Sequence, residues 1–154
     1  MPPPRSASSA EHSPRVSGKR IIVHSLAHAR AVLAAARDLR VPVTLASAAG
    51  AGGYAGPLWF KSLIAAAHAE FPEAEADALL DCGGEAGTTL AALRHGFKRA
   101  RFTGDAAALQ PLREIAKELS AEIETGDAPE ALDLLNESDP EAAARAYLER
   151  PPFR

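Results

Sequence analysis

The hydrophobic positions alternate along the chain between short continuous runs and longer segments with a helical period. The short runs, rich in β-branched and aliphatic residues, are typical of strands that are buried on both faces. The longer segments carry apolar residues at three- and four-residue spacings, which predicts amphipathic helices between the strands. The pattern predicts four strands and a possible fifth, near residues 20–24, 42–47, 77–81, 99–103 and 121–125.

This alternation predicts an α/β protein that is built from parallel βα units. Four or five such units can form half of a TIM-type barrel or an open, doubly wound, flavodoxin-like sheet. At 154 residues the chain is too short for a whole barrel, which needs about 250 residues. After the fifth strand, two short helices near residues 129–135 and 140–148 predict a C-terminal helical extension over 127–154.

The first 18 residues differ in composition from the rest of the chain. They are rich in proline, serine and alanine, and Val16 is their one large aliphatic residue after the initial methionine. Such a segment buries too little apolar surface to offset its ordering entropy. We therefore expect a disordered tail over residues 1–18, followed by a folded domain over 19–126.

Composition and charge narrow the classes of partner. The net charge of −3 gives no reason to expect nucleic acid or an anionic membrane as a partner. A single cysteine excludes an internal disulfide framework and suits a reducing cytoplasm. No apolar run approaches the roughly 18 residues that span a bilayer, and the first residues lack the apolar centre of a signal peptide. We expect a cytoplasmic protein.

Candidate chemistry is concentrated where the third predicted strand ends. Residues 76–84 read ADALLDCGG, so a buried run stops at Asp81 and is followed by Cys82 and two glycines. Ligands and catalytic groups usually lie at the carboxyl ends of parallel strands. Asp81 can be a catalytic carboxyl or the N-cap of the next helix, and Cys82 a ligand or a small core residue. The local pattern alone favours the structural roles.

A glycine-rich loop over residues 48–56, AAGAGGYAG, follows the second strand. Glycine is required where the backbone adopts positive φ or lies close to a ligand. The dinucleotide fingerprint G-x-G-x-x-G does not occur in this loop, and no P-loop lysine follows it. A glycine-rich turn without a bound anion is the more common case, but both interpretations stay open.

Taken in order, these segments resemble the first half of the class II, metal-dependent fructose-bisphosphate aldolases. The glycine loop, with Gly-Ala at 50–51 and Tyr-Ala-Gly-Pro at 54–57, is similar to that family's glycine loop. Leu-Asp-Cys-Gly at 80–83 is similar to its LDHG motif, and Glu-Ile-Glu-Thr-Gly at 122–126 to its E-x-E-x-G. The start of the domain at 23–26 and Gly-Phe at 96–97 also match, so the resemblance covers about residues 21–126.

The resemblance implies roles for several residues. Asp81 would be the catalytic acid and base, a role that a carboxyl can fill when burial adjusts its pKa. Cys82 would take the place of a zinc-binding histidine, and Glu124 would supply an oxygen ligand to the metal ion. Because parallel strands end on one face of the sheet, we expect Ser47, Gly50 and Gly83 at the same rim as Asp81, as candidate substrate-binding residues.

Two departures from the family pattern modify this expectation. Ala48 stands where the family has a substrate-contacting serine. The second half of the family's barrel, which carries two more zinc-binding histidines and the phosphate-binding loops, does not follow Gly126. Cys82 and Glu124 alone are fewer ligands than the three or four protein ligands of a zinc site.

The sequence therefore predicts a catalytically degenerate, aldolase-like half-barrel that acts as a small-molecule-binding or regulatory module. Its ligand would be a phosphorylated small molecule, and no cofactor would be needed. Exposed strand edges predict a homo-oligomer, because uncovered edges promote aggregation. The alternative is an active metal-dependent lyase on sugar phosphates, with zinc in a site that a partner chain completes.

Overall fold

The computed structural model describes residues 18–151, so all of the predicted disordered tail except Gly18 lies outside the described residues. Within this range there are six strands and six helices. The strands are β1 (Lys19–Ile22), β2 (Val43–Ala46), β3 (Ala76–Asp81), β4 (Arg99–Arg101), β5 (Glu122–Glu124) and β6 (Ala131–Asp133). The helices are α1 (Leu26–Leu39), α2 (Ala51–Tyr54), α3 (Pro57–Glu70), α4 (Ala86–Arg94), α5 (Ala106–Glu118) and α6 (Pro140–Glu149).

All six strands are parallel and form one sheet with the order β5-β4-β3-β2-β1-β6. The predicted α/β class with parallel βα units is confirmed, and so is the fifth strand. The helices contact one another in the order α6, α1, α3, α4, α5, which repeats the order of the strands beneath them. A single helix layer of this kind favours the half-barrel over a doubly wound sheet, which has helices on both faces.

The apolar core lies between the helices and one face of the sheet. Ile21, Leu45, Leu80 and Ala100 are fully buried on this face, one on each of the first four strands. Helices α1, α3 and α6 supply the facing side chains, among them Leu33, Phe60 and Leu148. Because strand residues alternate between faces, their neighbours in sequence lie on the opposite, inner face of the sheet.

Local sequence signals define several helix ends. Helix α1 follows Ser25, whose hydroxyl accepts a hydrogen bond from the backbone N–H of His28 at 3.1 Å. Helix α6 follows Asp139, whose carboxylate accepts one from the N–H of Ala142 at 3.1 Å. Pro57 is the first residue of α3, where its missing N–H costs nothing.

The predicted helix over residues 129–135 is wrong, because residues 131–133 form β6 and pair with β1. In this segment Leu132 packs against the core and Leu134 is fully buried, while Leu135 is exposed. A short apolar run fits a helix or a strand equally well from sequence. The free edge of β1 decides the outcome, since it offers backbone partners that the sequence does not reveal.

The sheet is strongly curled. Strands β1 and β5 are separated by four inter-strand steps, which in a flat sheet would place them about 19 Å apart. Nevertheless the guanidinium of Arg20 on β1 donates two hydrogen bonds to the carboxylate of Glu124 on β5, at 2.8 and 2.5 Å. The inner face therefore closes on itself as the interior of an incomplete barrel.

The connection between β5 and β6 has no helix. These strands lie at opposite edges of the sheet and run in the same direction, so residues 125–130 return from the carboxyl end of β5 to the amino end of β6. Arg101 donates a hydrogen bond to the carbonyl oxygen of Gly126 at the start of this return. None of the helices within residues 18–151 is long and apolar enough to cross a membrane.

We predict that Arg20→Met destabilises the protein by about 2 kcal/mol, because it removes one partner of a largely buried bidentate ion pair. The matched control is Arg30→Met, since Arg30 pairs with Glu70 at 2.6 Å but both side chains are about half exposed. The control should cost less than about 1 kcal/mol. Urea unfolding of both variants measures the difference, and an equal loss in the two would contradict a closing role for Arg20.

Candidate functional site

Six polar side chains lie at or just beyond the carboxyl ends of the strands. We call this end of the sheet the carboxyl rim. The curl of the sheet brings these strand ends around a common opening. In parallel α/β proteins such a rim is the usual position of a binding or catalytic site. Its polar members are His24, Ser47, Asp81, Arg101, Glu124 and Asp133.

Asp81 connects two glycine turns. Its Oδ1 accepts hydrogen bonds from the backbone N–H of Gly50 at 3.0 Å and from that of Gly83 at 2.9 Å. Its Oδ2 lies 3.5 Å from Nε of Arg101. Gly50 and Gly83 have φ values of 70° and 56°, a conformation that favours glycine. Asp81 therefore fixes the loop after β2 to the turn after β3.

Ser47 has a structural position at the rim. Its hydroxyl oxygen accepts a hydrogen bond from the backbone N–H of Asp81 at 2.9 Å and donates to the carbonyl of Ala48 at 3.1 Å. The residue is almost completely buried. The structure thus brings Ser47, Gly50 and Gly83 together around Asp81, as the sequence predicts, and the Ser47 hydroxyl is already engaged in both directions.

Cys82 lies on the other face of the sheet. It is fully buried in the apolar core beneath the helices, close to Gly52 and Thr89. Burial raises the pKa of its thiol to about 11, although a hydrogen bond with Thr89 acts in the opposite direction. Metal binding by cysteine requires the thiolate, which such a site disfavours.

Glu124 lies on the inner face, opposite to the face on which Cys82 packs. The structure therefore does not bring the two residues named as metal ligands into one site. Among residues 18–151, no group of three or more histidine, cysteine, aspartate or glutamate side chains has an arrangement that could hold a metal ion.

Glu124 instead belongs to an inner ion-pair network of three arginines and three acids. Besides its two bonds to Arg20, its carboxylate lies 3.0 Å from Arg101 and 3.7 Å from Arg99. Hydrogen bonds from Arg20, together with the charges of Arg20 and Arg101, lower the pKa of Glu124 against the opposing effect of burial. The remaining acids of the network are Asp77 and Asp81.

The other end of the network lies nearer to the amino ends of the strands. Arg99 donates to the carboxylate of Asp77 at 2.7 Å and to the hydroxyl of Thr44 at 3.1 Å. The Thr44 hydroxyl donates in turn to Asp77 at 2.6 Å. The inner face is thus crosslinked by charged side chains from β1, β3, β4 and β5. Arginines alternate along β4, which is typical of a strand with one polar face, but this pattern does not show which acids pair with them.

A second polar group at the rim was missed in the sequence analysis. His24 Nε2 lies 2.6 Å from Oδ1 of Asp133, and its backbone N–H donates to Nδ1 of His28 at 3.1 Å. Burial, followed by repulsion from His24, lowers the pKa of His28. Two histidines four residues apart after a strand were a signal in the sequence. Their partner Asp133 was not, because its segment was predicted to be helical.

The rim can bind polar groups and can orient an imidazole. A carboxylate beside a histidine ring nitrogen fixes the orientation of the ring. The rim acids Asp81, Glu124 and Asp133 are all engaged by donors within the described residues. In this polar rim, the carboxyl groups of Asp81, Glu124 and Asp133 each have at least one partner.

Comparison of the chain with models of known protein families and with curated proteins found no match. The fold and the site therefore define its class. It is a parallel α/β protein with a single helix layer, a curled sheet and a polar carboxyl rim above an interior of ion pairs.

We predict that Glu124→Gln reduces the loss of stability in acid. The folded-state pKa of Glu124 is lowered, so its contribution is present above the unfolded value of about 4.3 and is lost as the pH falls through the folded value. Urea unfolding at a series of pH values from pH 6 downward measures the slope, which is the change in unfolding free energy with pH. The control Asp38→Asn removes an exposed carboxyl group whose pKa is also lowered, mainly by Arg145. It should change the slope less, because solvent screens its ion pairs. Equal slopes for wild type and Glu124→Gln would contradict the prediction.

Proposed function

We propose that this protein is a catalytically degenerate, aldolase-like half-barrel that binds a small phosphorylated molecule at its carboxyl rim. The observation that carries the proposal is the environment of Asp81. Its Oδ1 holds the N–H groups of Gly50 and Gly83, and Oδ2 faces Arg101. The aspartate that the resemblance assigns to acid–base catalysis is thereby used to hold the rim together.

The requirements of proton transfer also argue against a catalytic role for Asp81. A general acid or base must be within hydrogen-bond reach of the reacting atom and must exchange its proton there. The Oδ1 atom of Asp81 could do so only by giving up bonds that fix two loops, and its Oδ2 atom lies 3.5 Å from Nε of Arg101. The position of Cys82 in the helix-facing core adds support, since a buried thiol with a pKa of about 11 is a poor metal ligand. Both features agree with binding without aldol chemistry.

The turns at the rim support a small anionic ligand. Gly84 and Gly104 approach so closely that a β-carbon on Gly104 would lie 2.6 Å from the carbonyl oxygen of Gly84. Only glycine permits this contact, and both residues are exposed. Exposed glycine turns present backbone N–H groups to which phosphate oxygens bind. We propose that a phosphate group binds over the turns after β3 and β4, in a reducing compartment such as the cytoplasm.

The test of ligand binding is an amide NMR titration of the full chain with dihydroxyacetone phosphate and with fructose 1,6-bisphosphate. We expect shifts at the amides of Gly83, Gly84 and Gly104, and no cleavage products with or without added zinc. Asp81→Asn should weaken phosphate binding, because the side-chain amide of asparagine is a weaker hydrogen-bond acceptor than the carboxylate and holds the two glycine turns less firmly. The matched control is Asp38→Asn at the opposite end of the molecule.

Two outcomes would overturn this proposal. If neither phosphate shifts the rim amides, the rim is not a phosphate site. If the protein cleaves a ketose phosphate and loses that activity in Asp81→Asn or with a chelator, the alternative of an active metal-dependent lyase is correct.

The proposal includes self-association. Within residues 18–151, strands β5 and β6 are the two outermost strands of the sheet, and each has one side without a neighbouring strand from this range. Open edges are usually covered, and a second copy does so economically. We expect sedimentation at micromolar concentration to show a dimer or a larger species. A monomer would contradict this part of the proposal without affecting ligand binding at the rim.

A further inference from the structure

A cleft of about 450 Å³ opens at the end of the molecule opposite to the carboxyl rim. We call it the α3–β4 cleft, because its walls are α3 and the segment 95–99 that leads into β4. Its volume lies within the range of small-molecule sites. The first residues of β3 line it as well, so it is at the amino ends of the strands, away from Asp81.

The buried part of the cleft is apolar. Leu33 and Leu45, both fully buried, lie at its floor, and Phe97 forms part of one wall. Phe97 stacks on Phe60 with ring centroids 6.0 Å apart and an interplanar angle of 14°, which holds the wall in place. The floor therefore favours a hydrocarbon group over a polar one.

Small side chains create the space. Strand β3 presents Ala76 and Ala78 to the cleft, and α3 presents Ala65, where larger apolar residues would fill the gap between helix and sheet. An unfilled apolar space costs stability because its lining atoms lack contact partners. An apolar ligand would supply those contacts.

The exposed part of the cleft is basic. Lys61, His68 and Lys98 are exposed lining residues, and His95 is partly exposed. The ammonium of Lys61 crosses from α3 to donate to the carbonyl oxygen of His95 at 2.8 Å. This contact uses one of the three donors of the ammonium group.

Asp77 is the acidic residue in the cleft lining, and its carboxylate does not offset the charge of the lysines at the mouth. Asp77 is paired with Arg99, whose guanidinium lies 2.7 Å from its carboxylate. The ammonium groups of Lys61 and Lys98, which within residues 18–151 contact only carbonyl oxygens, therefore leave an excess of positive charge above an apolar floor.

From this combination we propose that the α3–β4 cleft binds a small molecule with a hydrocarbon body and a carboxylate head. The hydrocarbon body lies against Ala76, Ala78 and Phe97, above the buried side chains of Leu33 and Leu45. The carboxylate lies at the mouth, where the ammonium of Lys61 donates to it. This site is separate from the rim site and does not depend on the function proposed for the rim.

The test uses decanoate as the probe and the full chain, with binding measured by calorimetry and by amide NMR. Ala65→Phe fills the cleft from α3 and should weaken decanoate binding by about ten-fold or more. The matched control is Ala66→Phe, since Ala66 is the next residue, is equally exposed and does not line the cleft. It should leave the affinity unchanged.

The charged head is tested separately. Lys61→Met should weaken decanoate binding by about five-fold and should leave the binding of 1-decanol unchanged, because only the carboxylate pairs with the ammonium. Inorganic phosphate alone should not shift the amides of residues 95–99. Amide shifts with decanoate should fall on those residues and on α3, and not on Gly83, Gly84 or Gly104.

Each of three results would overturn the proposal. One is that Ala65→Phe and Ala66→Phe bind decanoate equally well. Another is that decanoate shifts the rim glycines instead of the cleft. The third is that Ala65→Phe converts an oligomer to a monomer while decanoate does not bind, which would make the cleft an interface between copies of the chain.

Discussion

The bidentate ion pair between Arg20 and Glu124 determines how the rest of the structure is arranged. It joins the first strand of the domain to the fifth across the inner face, so the sheet must curl. The curl brings the carboxyl ends of β3, β4 and β5 close enough for Arg101 to contact both Asp81 and Glu124. The rim geometry thus depends on a contact made deeper in the barrel.

Charged side chains on the inner face are a consequence of incomplete closure. A complete barrel of this type fills its interior with layers of branched apolar side chains. Here the sheet ends at β5 and β6, and the partly open interior carries Arg20, Arg99 and Arg101 opposite three acids. Removing one partner of such a pair is strongly destabilising, whereas replacing the whole pair by apolar residues of similar volume is often neutral. We therefore expect the network to specify one strand arrangement more than to add net stability.

The two ends of the molecule offer different chemistry. At the carboxyl rim, glycine turns held by Asp81 present polar backbone groups, whereas the α3–β4 cleft presents an apolar floor below lysine and histidine side chains. The difference follows from the positions of the residues on the strands. Residues beyond the strand ends form tight turns, while small residues at the start of β3 leave room beneath α3.

The sequence by itself determined the elements up to residue 124, apart from the short helix α2, which lies within the loop predicted over residues 48–56. Continuous apolar runs and three- and four-residue spacings are local signals, and they placed β1 to β5 and the helices between them within a few residues. The grouping of Asp81 with Ser47, Gly50 and Gly83 followed as well, because parallel strands end on one side of a sheet.

Only the tertiary structure decided the remaining features. Residues 131–133 form a strand because the edge of β1 is free to pair with them. The side chain of Cys82 packs in the helix-facing core, whereas that of Glu124 lies on the inner face. The contact of Arg20 with Glu124, and that of His24 with Asp133, join residues about a hundred positions apart in the chain. Such pairings depend on strand order and curl, which arise from contacts distant in sequence and leave no local pattern.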